Sequence, residues 1–146
     1  MGKSKEGGFA MAGLRTYHVF ISHSWKYPDP YETVKKWLDD ASYFYWSDYS
    51  VPFYDPLDAN SVRELKTKIS TQIAKCSCVV ILAGMYVNYS QWIDFEIDTA
   101  IEMGKPIIGV RPWGQERVPK KVADNSDVMV GWNSSSVVQA IRDYSV

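Results

Sequence analysis

Residues 90–110 read SQWIDFEIDTAIEMGKPIIGV. Ser90 is an N-cap residue type, and Ile93, Ile97, Ala100 and Ile101 then recur at i, i+4, i+7 and i+8, the stripe of a helix with one core face. The pattern runs to about Met103, and Gly104 is the stop. Directly after it the apolar run KPIIGV has the length and β-branching of a buried strand. A helix that turns tightly into such a strand is half of a β-α-β unit. Trp92 and Glu96 lie four residues apart, one step round from the stripe, and are stacked on one another. Glu96 has two readings. It is a solvated carboxylate favourably placed in the first turns of a helix, or it is held beside the Trp92 plane to do chemistry.

The same alternation extends outward in both directions. TYHVFISH (16–23) is strand one, and PDPYETVKKWLDDA follows with a helical stripe of Tyr31, Val34, Trp37, Leu38 and Ala41. In SDYSVPFYDPLDAN a short strand is expected at 49–53, on a sheet edge because of Pro52. SVRELKTKISTQIAKC reads as a helix with Ser61 and Glu64 as a capping box and Val62, Leu65, Ile69 and Ile73 as its buried face. SCVVILAG, continuously apolar, is a central parallel strand. Beyond KPIIGV come a short helix in VPKKVAD, a fifth strand in DVMVGW and a closing helix in SSSVVQAIRDY with a serine cap.

Five β-α repeats with short crossovers imply a single flavodoxin-like three-layer α/β domain over residues 15–146. Its five-stranded parallel sheet should have the order 2-1-3-4-5. Residues 1–14, polar and glycine-rich, are expected to be a disordered lead-in. In this order the topological switch point falls between strands one and three, and ligands bind beyond their carboxyl ends. Ser22, His23, Ser24 and Trp25 follow strand one, and Gly84, Met85, Tyr86 and Asn88 follow strand three. Ser22 and Ser24 are candidates for phosphate or ribose hydroxyls. His23 is either a hydrogen-bonded structural residue or a base.

Composition removes several functions. The 146 residues carry a net charge of −1, so there is no basic footprint for nucleic acid. No apolar run approaches the roughly 18 residues of a membrane span, and a cytoplasmic protein is expected. Cys76 and Cys78, at i, i+2, read as small buried hydrophobes rather than a bridge or a zinc site. No metal site is expected, because Asp94, Glu96 and Asp98 spread around a helix. Neither a G-x-G-x-x-G turn nor a P-loop is present. SHSWKYPDP is a poor flavin phosphate loop, and Ala83-Gly84 stands where a response-regulator receiver needs Asp. The six Trp and ten Tyr predict aromatic lining of a pocket or interface.

Together, HVFISHSW, SQWIDFE and KPIIGVRPW resemble the first box, the W-x-x-x-E helix and the fourth-strand box of TIR domains. YHVFISHSWKY and WSDYSVPFYDPL are more narrowly similar to the prokaryotic TIR-like group that includes the Thoeris anti-phage TIR subunits. The resemblance covers about residues 16–144 and implies an NAD⁺ glycohydrolase or cyclase. The enzyme would release nicotinamide and an ADP-ribose signal, with Glu96 as the essential carboxylate. Trp92, Ser22, His23, Trp25 and Asn88 would line the pocket. NAD⁺ would be substrate, with no cofactor required. The family also implies self-association through the loop after strand two, here with Phe53, Tyr54 and Leu57, and an effector downstream that senses the product. The chain departs from animal TIR domains at His23-Ser24-Trp25. The alternative function is a non-catalytic TIR-like interaction module that assembles with its own kind.

Overall fold

The computed structural model describes residues 15–22, 28–51, 59–83, 91–111 and 117–146. Elements alternate along the chain: β1 (Thr16–Ser22), α1 (Pro28–Asp40), β2 (Tyr45–Asp48), α2 (Ala59–Lys75), β3 (Cys78–Leu82), α3 (Gln91–Glu102), β4 (Ile107–Val110), α4 (Lys120–Asn125), β5 (Val128–Val130) and α5 (Ser134–Tyr144). All four strand pairings are parallel, and the sheet order is β2-β1-β3-β4-β5, the 2-1-3-4-5 arrangement expected. Among the described residues no helix is long and apolar enough to cross a membrane.

Strand pleating divides the interior in two. Val19, Ile21, Cys78, Val80, Leu82, Ile108 and Val110 face Val34 and Leu38 of α1 and Val137 and Ile141 of α5. Phe20, Val79, Ile81, Ala83 and Ile107 face Ile69 and Ile73 of α2, Trp92, Ile93, Ile97 and Ala100 of α3, and Val122 of α4. Burying each large side chain contributes roughly 1.5–3 kcal/mol, so the two seams hold the helices on the sheet. Both cysteines are free and buried, and burial pushes their thiols up, Cys76 to about 11 and Cys78 to about 12.

Four sequence expectations are corrected. β2 lies at Tyr45–Asp48, upstream of the expected 49–53, although the Tyr49 amide still donates to Val19 O at 2.8 Å. Thr16↔Tyr45 pairing starts the ladder early, and the aromatic run before Asp48 supplies the β-formers. α2 begins at Ala59, so Ser61 sits inside the helix rather than at its cap. The cap of α5 is Asn133, whose side chain accepts from the Ser136 amide. On α3 the buried stripe is rotated toward Trp92 and Glu96, and Ile101 is 51% exposed. Gly104 ends α3 as expected, with φ +67°, a conformation glycine adopts without a Cβ clash.

Candidate active site

The sheet order brings the carboxyl end of β1 beside α3. Ser22 is the last residue of β1, and alternation puts it on the same face as Phe20, toward α3. Its backbone is fixed on the β3 side by pairing with Ile81. On the other side the Ile21 amide donates to Ser50 Oγ at 2.8 Å, and the Ser50 amide donates to Asp48 Oδ1 at 2.9 Å. Asp48 also accepts from the Tyr31 hydroxyl, which ties α1 to the end of β2.

Across this junction the Ser22 hydroxyl donates to Glu96 Oε1 at 2.6 Å. Both residues are 0% exposed. Glu96 Oε2 has no hydrogen-bond partner among the described residues. Burial without a counter-charge disfavours the ionised form and pushes the Glu96 carboxyl up to about 8, while the Ser22 hydrogen bond pulls it back. At neutral pH the protonated form is favoured.

Trp92, one turn earlier on α3, is 2% exposed and meets Phe95 edge to face at 6.4 Å between ring centroids. Lys66 of α2 lies over the other ring, 5.4 Å from the Phe95 centroid. The remaining acids of α3 face away. Asp94 and Asp98 both pair with Lys121 of α4, at 2.7 and 2.8 Å. Among the described residues no three His, Cys, Asp or Glu side chains come together as a metal site.

Of the residues singled out from sequence, Ser22, Trp92 and Glu96 are brought together. His23, Trp25 and Asn88 lie outside the described residues, as do Phe53, Tyr54 and Leu57. Two features were missed. The spacing puts Glu96 on a flank of α3 outside the core, whereas the structure buries it fully. The switch-point position makes Ser22 a candidate ligand for substrate hydroxyls, whereas its hydroxyl is engaged with Glu96. Strand alternation carried the signal for the second, since Ser22 follows Phe20 by two. Ser50, which holds the end of β1, had no sequence signal beyond being polar after a strand.

Among solved structures, the chain is similar to the Clostridium botulinum CMP N-glycosidase BcmB. The two are 18% identical with a TM-score of 0.55 over 85% of this chain and 97% of that one. It is also similar to a 3-dehydroquinate dehydratase-like protein from Bifidobacterium longum, at 12% identity and a TM-score of 0.48 over 88% and 94% of the two chains. No curated protein matches the chain. Residues 20–117 match the family described as Thoeris protein ThsB, TIR-like domain. That match spans well over half of the chain, and the chain belongs to that TIR-like family.

Proposed function

We propose that the protein is an NAD⁺ glycohydrolase or cyclase with Glu96 as its catalytic carboxylate. The observation that carries this reading is the buried Glu96 carboxyl at the switch-point end of the sheet, with one oxygen held by Ser22 and the other without a partner among the described residues. Membership of the TIR-like family supports it. The likeness to the botulinum protein is one of fold; that protein is named an N-glycosidase, so this architecture accommodates cleavage of a C–N glycosidic bond there.

The chemistry asks for few groups. The bond from ribose C1′ to the pyridinium nitrogen breaks, and its electron pair goes to nicotinamide, which leaves neutral. Positive charge grows on C1′ and the ring oxygen. An ionised Glu96 stabilises that charge and takes hydrogen bonds from ribose hydroxyls. Water captures C1′ to give ADP-ribose, losing its proton; an oxygen or nitrogen of the same molecule closes a ring instead. The pyridinium also acts on the acid. A cation entering beside a buried carboxyl lowers its pKa and favours the ionised form, so substrate binding arms the residue. Trp92 offers an aromatic plane for the cationic ring.

Around this centre we place His23, Trp25 and Asn88 as pocket residues. Phe53, Tyr54 and Leu57 form the contact between copies of the chain, in a cytoplasmic protein whose product is read by an effector in anti-phage defence. Phe53→Asp is expected to lower self-association and NAD⁺ turnover together, measured by sedimentation and nicotinamide release.

The complete enclosure of Glu96 favours a second reading, a TIR-like module that works by assembly alone. Incubating NAD⁺ with concentrated protein, wild type beside Glu96→Gln, and separating the products separates the two. Nicotinamide from wild type only supports the enzyme, and the partner product reports a linear or cyclic ADP-ribose. No nicotinamide at any protein concentration, with or without infected-cell extract, leaves the assembly module.

A further inference from the structure

We propose that Ser22 is a positioning residue: its hydroxyl holds the Glu96 carboxyl in one orientation and leaves Oε2 to meet the ribose and the charge developing at C1′. This deepens the glycohydrolase reading and rests on it.

The geometry is specific. A 2.6 Å O–H···O contact is a short, well-formed hydrogen bond. Ser22 is on the rigid side of the pair, at the end of a strand bordered by β2 and β3. Glu96 is on α3, with three side-chain torsions, and among the described residues no other hydrogen bond restrains its carboxyl. Ser22 has one hydroxyl proton, and it is directed to Oε1. It therefore has no donor to offer a substrate while it holds Glu96. With Oε1 occupied as acceptor, the proton of the neutral acid resides on Oε2, the oxygen without a partner. The same hydrogen bond thus selects which oxygen ionises and faces the ligand.

Among the described residues no charge competes for this role. Asp94 and Asp98 of α3 are engaged with Lys121 of α4. Lys66 of α2 is over the Phe95 ring. The neighbours from β1 and β3 in this seam, Phe20, Ile81 and Ala83, are apolar. Among the described residues, burial raises the pKa of the carboxyl and the Ser22 hydrogen bond, the smaller influence, lowers it.

The test compares wild type, Ser22→Ala and Ser22→Thr, which restores a hydroxyl. Glutamate labelled with carbon-13 at the side-chain carboxyl is followed by NMR through a pH titration, and the Glu96 signal is identified by its absence in Glu96→Gln. Loss of the hydrogen bond is expected to move the Glu96 midpoint upward in Ser22→Ala, with return toward wild type in Ser22→Thr. On NAD⁺, Ser22→Ala is expected to lower kcat roughly tenfold to a hundredfold, with KM nearly unchanged and partial recovery in Ser22→Thr. An unmoved Glu96 midpoint in Ser22→Ala overturns the proposal. So does a raised KM with kcat intact, which would make Ser22 a ligand of substrate. If wild type leaves NAD⁺ intact, the glycohydrolase reading fails, and the titration alone still decides whether Ser22 holds Glu96.

Discussion

At the amino ends of the strands, polar groups close on one another. The His18 amide donates to Ser77 Oγ at 3.0 Å, and the Ser77 amide donates back to His18 O at 2.6 Å. Asp127 Oδ2 accepts from the Ile107 amide at 2.7 Å, and the Asp127 amide donates to Ile107 O at 2.8 Å. Lys105 Nζ reaches Cys76 O at 2.9 Å. At the carboxyl ends Glu96 is more deeply buried than any of these, yet one of its carboxyl oxygens has no partner among the described residues. Buried polar groups are costly unless hydrogen-bonded. At one end these polar groups are paired with one another, and at the other Glu96 Oε2 is left unpaired among the described residues, a buried polar atom that calls for a functional explanation.

The sharpest way to break this contrast is Glu96→Gln. Turnover of NAD⁺ is expected to fall about a thousandfold, read as nicotinamide released per folded molecule. The same substitution should make the fold more robust, because the folded-state pKa of Glu96 is raised. A raised pKa means that the native state binds the proton more tightly than the unfolded chain does. The associated stability is full below the ordinary glutamate pKa of 4.5 and is lost as pH rises to about 8. Wild type is expected to lose a few kcal/mol across that window. Glu96→Gln should lose less, so the gap in Tm between the two widens toward about pH 8. For the same reason kcat/KM of the free enzyme should rise with pH through about 8.

Smaller effects belong to the other regions of the sheet. A Cβ on Gly109 would come within 2.3 Å of Met129 Sδ and 2.7 Å of Ser126 Oγ. Gly109→Ala is therefore expected to cost about 1–3 kcal/mol in denaturant unfolding. Asp127→Ala, which strands the buried Ile107 amide, should cost about 1–2 kcal/mol. Neither should alter nicotinamide release per folded molecule. A large loss of activity from either one would erase the distinction between the two ends.

Local chemistry made much of the fold legible. The β-branched runs of β3 and β4, the stripe of α1 and the Gly104 stop depend on neighbours in sequence, and they stand where expected. β2 was misplaced because an edge strand is covered on one side, and its burial follows no clean alternation. Its register comes from β1, not from its own residues. The site shows the same limit more strongly. Spacing put Trp92 and Glu96 together, but the depth of Glu96 and the engagement of Ser22 come from a contact between residues 74 positions apart. The i, i+4 pattern of one helix has no access to what the sheet presses against it.

The strand order also bears on how the chain comes to life on the ribosome. β1 is made before both of its neighbours, β2 and β3, and Val19 pairs with Cys78, a residue synthesised much later. Parallel pairings over such separations form slowly, because a long loop must be closed before any contact rewards it. Glu96 is later still. In a nascent chain the Glu96 carboxyl therefore meets its serine only after the central strands have come together.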